Sequence, residues 1–305
     1  VKGLALRPEV DNVQLITRLI QDRRVSSDYA QPRESISSSA EILRFPFGPK
    51  RYIRKELLWP YLDDLADLLV NHLLQQSKLP DWIHAHYADA GYVGALVSRR
   101  LSIPLVFTGH SLGREKKRRM LAAGVDHKHL EQSFSISRRI DAEEVALAHS
   151  SMVITSTEQE ASHQYSRYGK FVAKRAQIIP PGVDSQRFHA LHSPKEIKEI
   201  DSLFQHFLRE PKLPPLVSIS RAVQRKNIPA LLEAYGRSSL LRQRHNLILI
   251  LGCREDASDL EKQQRDVFHQ IFELVDKYDL YGKVAYPKQH SRNQIPSIYR
   301  WASSR

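Results

Sequence analysis

Apolar positions along the chain switch repeatedly between short continuous runs and helical spacing. Pro104 to Thr108 is apolar, brief and bounded by turn formers, the pattern of a strand buried on both faces, and it passes straight into Gly109-His-Ser-Leu-Gly113. A helix is expected from near Arg114. Asp81 to His86 reads as a strand and Gly91 to Arg100 as a helix; helix Ser137 to His149, strand Met152 to Ser156, helix Glu158 to Tyr168 and strand Gln177 to Ile179 follow. The turn Pro180-Pro181-Gly182 closes this series. Such alternation predicts βα units and a mostly parallel sheet, placing the chain in the α/β class.

Between Phe188 and Pro215 the pattern breaks into a charged stretch, Ser193 to Asp201, an amphipathic piece at Leu203 to Leu208, and Pro211, Pro214 and Pro215. This marks a domain boundary. The expected organisation is a first domain over 1–190, a linker over 191–214 and a second domain over 215–305. The second restarts the alternation with strands Leu216 to Ile219, Asn246 to Leu251 and Lys283 to Tyr286. Helices Ile228 to Tyr235 and Leu260 to Tyr278 lie between them.

The longest clean apolar run, Leu247 to Leu251, falls far short of the ~20 residues that span a bilayer. The basic start has no apolar signal core, so a cytoplasmic protein is expected, with neither membrane nor nucleic acid as partner. The single cysteine, Cys253, excludes an internal disulfide framework. Forty-six Lys and Arg against 34 Asp and Glu give a formal charge of +12. The basic residues are dispersed without aromatic interleaving, which favours small phosphorylated ligands over a polynucleotide, or else a surplus on solvated helix faces.

In an open parallel sheet, ligands bind beyond the carboxyl ends of the strands. Four strand ends carry polar or glycine-rich segments: His84 to Gly91, Gly109 to Gly113, Ser220-Arg221 and Gly252 to Asp256. Two lie in each half, so a cleft between two sheets is the natural site. His84 and His86, two apart on a strand, can chelate a metal, make strand-end hydrogen bonds, or contact a ligand through His86. His110 sits at a strand tip between glycines that let a ligand approach. Lys116 and Lys117 follow one turn later, and Arg138 and Arg139 open another helix; cations near a helix start suit a phosphate. Arg139 and Glu143 can also form an intrahelical ion pair worth only ~0.2 to 0.5 kcal/mol. Arg221 and Lys226 can hold a diphosphate and stabilise a charged leaving group without a metal. No GxxxxGK[ST] loop is present, which excludes a P-loop hydrolase, and no GxGxxG opens the first unit.

Taken in order, Lys55-Glu-Leu-Leu-Trp-Pro-Tyr61, His86-Tyr-Ala-Asp-Ala-Gly91, Phe107 to Gly113, Arg138-Arg-Ile-Asp-Ala-Glu-Glu144, Ile179-Pro-Pro-Gly-Val-Asp184, Ser220-Arg221 with Lys226-Asn227, Lys277 to Gly282 and Val284 to Lys288 span nearly the whole chain. This ordered set resembles the retaining glycosyltransferases with two facing Rossmann-like domains (the GT-B fold), the sucrose-phosphate synthase family in particular. The resemblance implies an acceptor-binding first domain and a nucleotide-sugar-binding second domain. It implies glucose transfer from UDP-glucose to fructose 6-phosphate, giving sucrose 6-phosphate with the donor's configuration kept. Lys55, Lys116, Arg138 and Arg139 would bind the acceptor phosphate, and His110 would lie beside the transferred glucose. His86, Gly109 and Ser111 would line the cleft. Arg221 and Lys226 would hold the donor diphosphate in place of a divalent ion, so no metal and no cofactor is implied.

Two family segments have no counterpart here: a glycine-rich loop that would precede Val1, and paired glutamates that would follow Arg305. The expectation is therefore a piece of a longer enzyme with an incomplete second domain, inactive alone. The alternatives are sucrose synthase, which takes free fructose and needs no cationic acceptor cluster, or another retaining glycosyltransferase of this fold. From a different class, a non-catalytic sugar-phosphate-binding module also fits.

Overall fold

The computed structural model describes residues 1–190 and 193–305. Two compact units, 1–181 and 182–305, make up the chain. The first opens with a short helix, α1 (Lys2–Ala5), and a small sheet of β1 (Val13–Arg18), β2 (Arg33–Ser37) and β3 (Ala40–Phe45). In it β3 is central, parallel to β1 and antiparallel to β2. The pattern of the sequence does not predict this sheet. Its alternation is broken by two buried arginines: Arg18, held by the carbonyls of Pro49 and Arg51, and Arg44, held by Glu34 and the Gln31 carbonyl.

The helix α2 (Leu62–Leu74) comes next and buries Leu62, Leu65, Ala66, Leu69 and Leu73, the stripe expected of an amphipathic helix. Then come the alternating elements that the sequence does predict: β4 (Ile83–His86), α3 (Tyr87–Leu101), β5 (Leu105–Thr108), α4 (Gly113–Ala122), α5 (His127–Phe134), α6 (Ile136–His149), β6 (Ser150–Thr155) and β7 (Ala176–Ile178). The four strands form one parallel sheet in chain order. All of β5 is buried, as its unbroken apolar run requires. Glu158 to Tyr168, expected as an ordinary helix, continues into a π-helical turn over Glu160–Gln164 and a 3-10 turn over Tyr165–Arg167.

In the second unit, α7 (Pro194–Phe204) leads into β8 (Pro215–Ile219), α8 (Ile228–Arg237), α9 (Ser239–Arg244), β9 (Asn246–Ile250), α10 (Lys262–Lys277), β10 (Val284–Ala285) and α11 (Gln294–Ser303). Its parallel sheet has β9 in the middle. Leu247, Leu249 and Leu251 pack with Ile228, Leu232, Phe268 and Ile271 on one face, while Ile248 and Ile250 pack with Ile200, Phe204, Ile298 and Trp301 on the other. Helical layers on both faces account for the continuous apolar run. The division falls after Pro181, where the sequence suggests 190, and the expected linker carries α7, whose Ile200 and Phe204 belong to this core. Leu191 and His192 of that linker lie outside the described residues.

Among the described residues no helix is long and apolar enough to cross a membrane. Where α3 crosses β5, a Cβ on Gly91 would come within 2.6 Å of the Phe107 ring and 3.0 Å of the Ala146 Cβ. Phe107 is fully buried and has nowhere to go. Gly91→Ala is expected to destabilise the fold by about 1 to 3 kcal/mol through overpacking; urea unfolding checks this, and an unchanged midpoint would show that α3 can slide off the sheet without loss.

Candidate active site

The carboxyl ends of β4 and β5 bring three imidazoles together. Parallel pairing sets His86 beside Thr108, so His84 reaches Thr108 Oγ1 through Nε2 at 2.9 Å, and His86 Nδ1 lies 2.9 Å from His110 Nε2. The rings of His84 and His86 are 4.1 Å apart, and those of His86 and His110 are stacked at 5.1 Å. Packed this way, the i, i+2 histidines meet each other. Among the described residues no group of three His, Cys, Asp or Glu side chains is arranged to hold a metal ion.

His110 has φ +56°, a left-handed backbone that turns the chain off the end of β5. The flanking glycines do something other than leave room for a ligand. A Cβ on Gly109 would strike Leu112 at 2.7 Å and the Tyr165 hydroxyl at 2.8 Å; one on Gly113 would strike Glu143 Oε2 and Ile140, each at 2.9 Å. The chain's own side chains fill both spaces.

Glu143 ties the loop after β5 to α4 and α6. It is fully buried on α6, and its oxygens accept the Gly113 N–H at 3.0 and 2.9 Å, Arg139 Nε at 3.0 Å and the Tyr168 hydroxyl. Burial pushes its pKa up, while the Arg139 guanidinium chiefly holds it down. Arg139 also donates to the carbonyl of Ser111 and is itself buried. Its exposed neighbour Arg138 points elsewhere, so the arginine pair is split between interior and solvent. Ser111 stays exposed, its Oγ 3.4 Å from Arg139 Nη2.

Tyr87, the first residue of α3, has φ +77°. Arg139 Cζ lies 4.5 Å from the centre of its ring; Lys55 Nζ lies 4.2 Å from it and donates to the phenol oxygen at 2.7 Å. Lys116 Nζ, on α4, sits 3.3 Å from the centre of the Phe134 ring. Burial, and then repulsion from Arg139 and Lys55, lowers Lys116 to about 8. Asp89 is raised by burial in spite of Lys55 and Arg139. Neither lysine has an ion-pair partner within 4.0 Å among the described residues. Nothing in the sequence marks Tyr87, Phe134, Tyr165 or Tyr168 as site residues, and Glu143 is marked only as an ion-pair partner by its place four residues after Arg139.

The second unit presents its own cations. Arg221 comes just after β8, and Lys226 ends a 3-10 turn that leads through Asn227, at φ +51°, into α8. Both side chains are exposed, and no hydrogen bond or ion pair engages either among the described residues. On the adjoining strand end, Arg254 is buried over the Phe268 ring and donates to the carbonyls of Tyr286 and Pro287 at 3.0 and 3.2 Å. Cys253 is exposed.

Two α/β units, each built on a parallel sheet with polar side chains at its carboxyl strand ends, place the chain in the Rossmann-like α/β class. Residues 1–189 match the family described as the sucrose synthase first GT-B domain, and the chain belongs to that family. It is 36% identical, over 99% of its length, to probable sucrose-phosphate synthase 3 of Arabidopsis thaliana, and 35% identical, again over 99%, to sucrose-phosphate synthase of Zea mays. Those alignments cover 35% and 34% of the relatives, so the chain spans about a third of the length of the curated relatives it matches. Among solved structures, sucrose-phosphate synthase from Thermosynechococcus elongatus shares the fold at a TM-score of 0.69 and 22% identity, covering 98% of this chain and 66% of that one.

The geometry sets two expected outcomes. Partial burial of its ring, and then His86 and His110, lower His84 to about 4. Below its ordinary 6.5 the unfolded chain takes up a proton that the folded chain refuses, so stability falls as pH drops from 6.5 towards 4. His84→Asn is expected to flatten the thermal midpoint across that window, and an unaltered slope would assign the acid sensitivity to other groups. Glu143→Gln strands the buried Arg139 charge and is expected to cost about 3 to 5 kcal/mol, measured by urea unfolding.

Proposed function

We propose that the chain provides the acceptor and donor half-sites of a glucosyltransferase that moves glucose from UDP-glucose to fructose 6-phosphate, forming sucrose 6-phosphate with retention. One observation carries the acceptor assignment. Lys116 is desolvated beside Arg139 and Lys55, with its pKa already lowered, so a dianionic phosphate there would relieve repulsion as well as gain charge-assisted hydrogen bonds. The names of the similar proteins from Arabidopsis and Zea support the same substrate class.

In this reading Lys55 and Lys116 take the phosphate, and the buried Arg139 acts through its hold on Tyr87 and Ser111. Arg138, turned to solvent, takes no part. His110, oriented by His86, lies beside the glucosyl ring. The bond from the anomeric carbon to the diphosphate oxygen breaks, the fructose 2-hydroxyl adds on the face that the leaving group vacates, and its proton goes to the departing phosphate. Arg221 and Lys226 stabilise the charge on UDP, which leaves no step that needs a divalent ion.

The family name motivates a second reading, a free-fructose acceptor, which the unpaired lysines disfavour. Calorimetric titration separates the two. Fructose 6-phosphate is expected to bind saturably and fructose not at all. Lys116→Ala should weaken the former about tenfold or more. Binding should also fall as pH rises through about 8, where Lys116 loses its proton. Equal binding of fructose would overturn the assignment.

A further inference from the structure

A separate basic pocket lies on the first unit, in the groove between α4 and α6. Arg114, Lys117, Arg118 and Leu121 recur at i, i+3, i+4 and i+7 and so form one stripe of α4. Ser137, Ile140 and Asp141 answer from α6, and Arg167 closes the end from the 3-10 turn before Tyr168. The groove is open to solvent and offers about 550 Å³. None of Lys55, Lys116, Arg138, Arg139 or His110 lines it.

Four cations there face one carboxylate. Glu115 holds Arg118 at 2.8 Å, and Glu144 holds Arg114 at 2.7 Å. Those ion pairs fix the two guanidinium groups on helical elements. Lys117 makes no hydrogen bond or ion pair among the described residues, and Arg167 donates only through Nε, to the His163 carbonyl. The Nε of Arg114 is buried without a hydrogen-bond partner. Leu121 and Ile140 supply an apolar wall. Pinned arginines, unengaged donors and an apolar wall in one concavity are what a small anionic ligand requires, with room for more than a bare ion.

The geometry points to a second ligand site here, for a small molecule bearing a phosphoryl group, bound by Lys117 and Arg167 against the pinned Arg114 and Arg118. It is independent of the acceptor and donor assignments. The larger charge and length of a pyrophosphate suit donors spread along α4 and across to Arg167.

Inorganic pyrophosphate is the probe. In the 305-residue chain carrying Lys55→Ala, Lys116→Ala and Arg221→Ala, calorimetry should still show one saturable site that weakens with added salt. Adding Lys117→Ala and Arg167→Ala should reduce its affinity about tenfold or more. Arg167 is exposed and Lys117 only partly covered, and the thermal midpoint confirms that the fold persists. Affinity that survives them with the fold intact, or that has already vanished with the first three, would overturn the proposal. So would a polyglutamate peptide that binds this face while pyrophosphate does not, since the surface would then serve an acidic protein segment. Failure of fructose 6-phosphate to bind the unaltered chain would bear on the proposed glucosyltransferase function and leave this site standing.

Discussion

The buried pair of Arg139 and Glu143 is the constraint on which the first unit's site rests. Removing two charges from water is costly, and such a pair survives only when its remaining donors and acceptors are met. Here the partners reach outward in every direction: the Gly113 amide at the start of α4, the Tyr168 hydroxyl, the Ser111 carbonyl and the Tyr87 ring. One interaction thereby fixes the helix start, the loop after β5 and the first residue of α3. Because Glu143 is consumed by Arg139, it offers nothing to Lys55 or Lys116. Their charge is left for something outside the chain.

How much of this is legible in the sequence depends on where each partner lies. Strands β5 and β9 are legible because burial on both faces leaves an unbroken apolar run. The first sheet is not, because Arg18 and Arg44 interrupt its pattern and find their partners in loops or on a neighbouring strand. Helix α7 was hidden by its charged stretch, which is its solvated face. In the site, His86, His110 and Lys116 stand out by type and position, and Lys55 only through the resemblance. The burial of Arg139 does not, since the rotation of α6 decides which of two adjacent arginines turns inward. Spacing alone suggested a surface ion pair worth a few tenths of a kcal/mol; burial and four further partners make it a different object.

The two units solve the same electrostatic problem differently. In the first, cations are crowded against aromatic rings and lose water, which tunes Lys116. In the second, Arg221 and Lys226 stay in solvent, while the buried cation, Arg254, is spent on carbonyls that tie the loop after β9 to the segment after β10. Rigid backbone and solvated charge there contrast with desolvated charge on stiff rings in the first unit.

Assembly of the second unit depends on contacts between segments far apart in the sequence. Glu196 on α7 is held by Arg300 and Ser297 of α11, and Asp201 by Trp301 Nε1 at 2.8 Å, contacts about a hundred residues apart in the chain. On a ribosome α7 is made first, and its apolar face, Ile200 and Phe204, has no partner helix until α11 has emerged. Closure of so long a loop is slow relative to local helix formation. During synthesis that face is exposed to solvent and to other nascent chains, so the segment beside the boundary is where a chaperone would have most to protect.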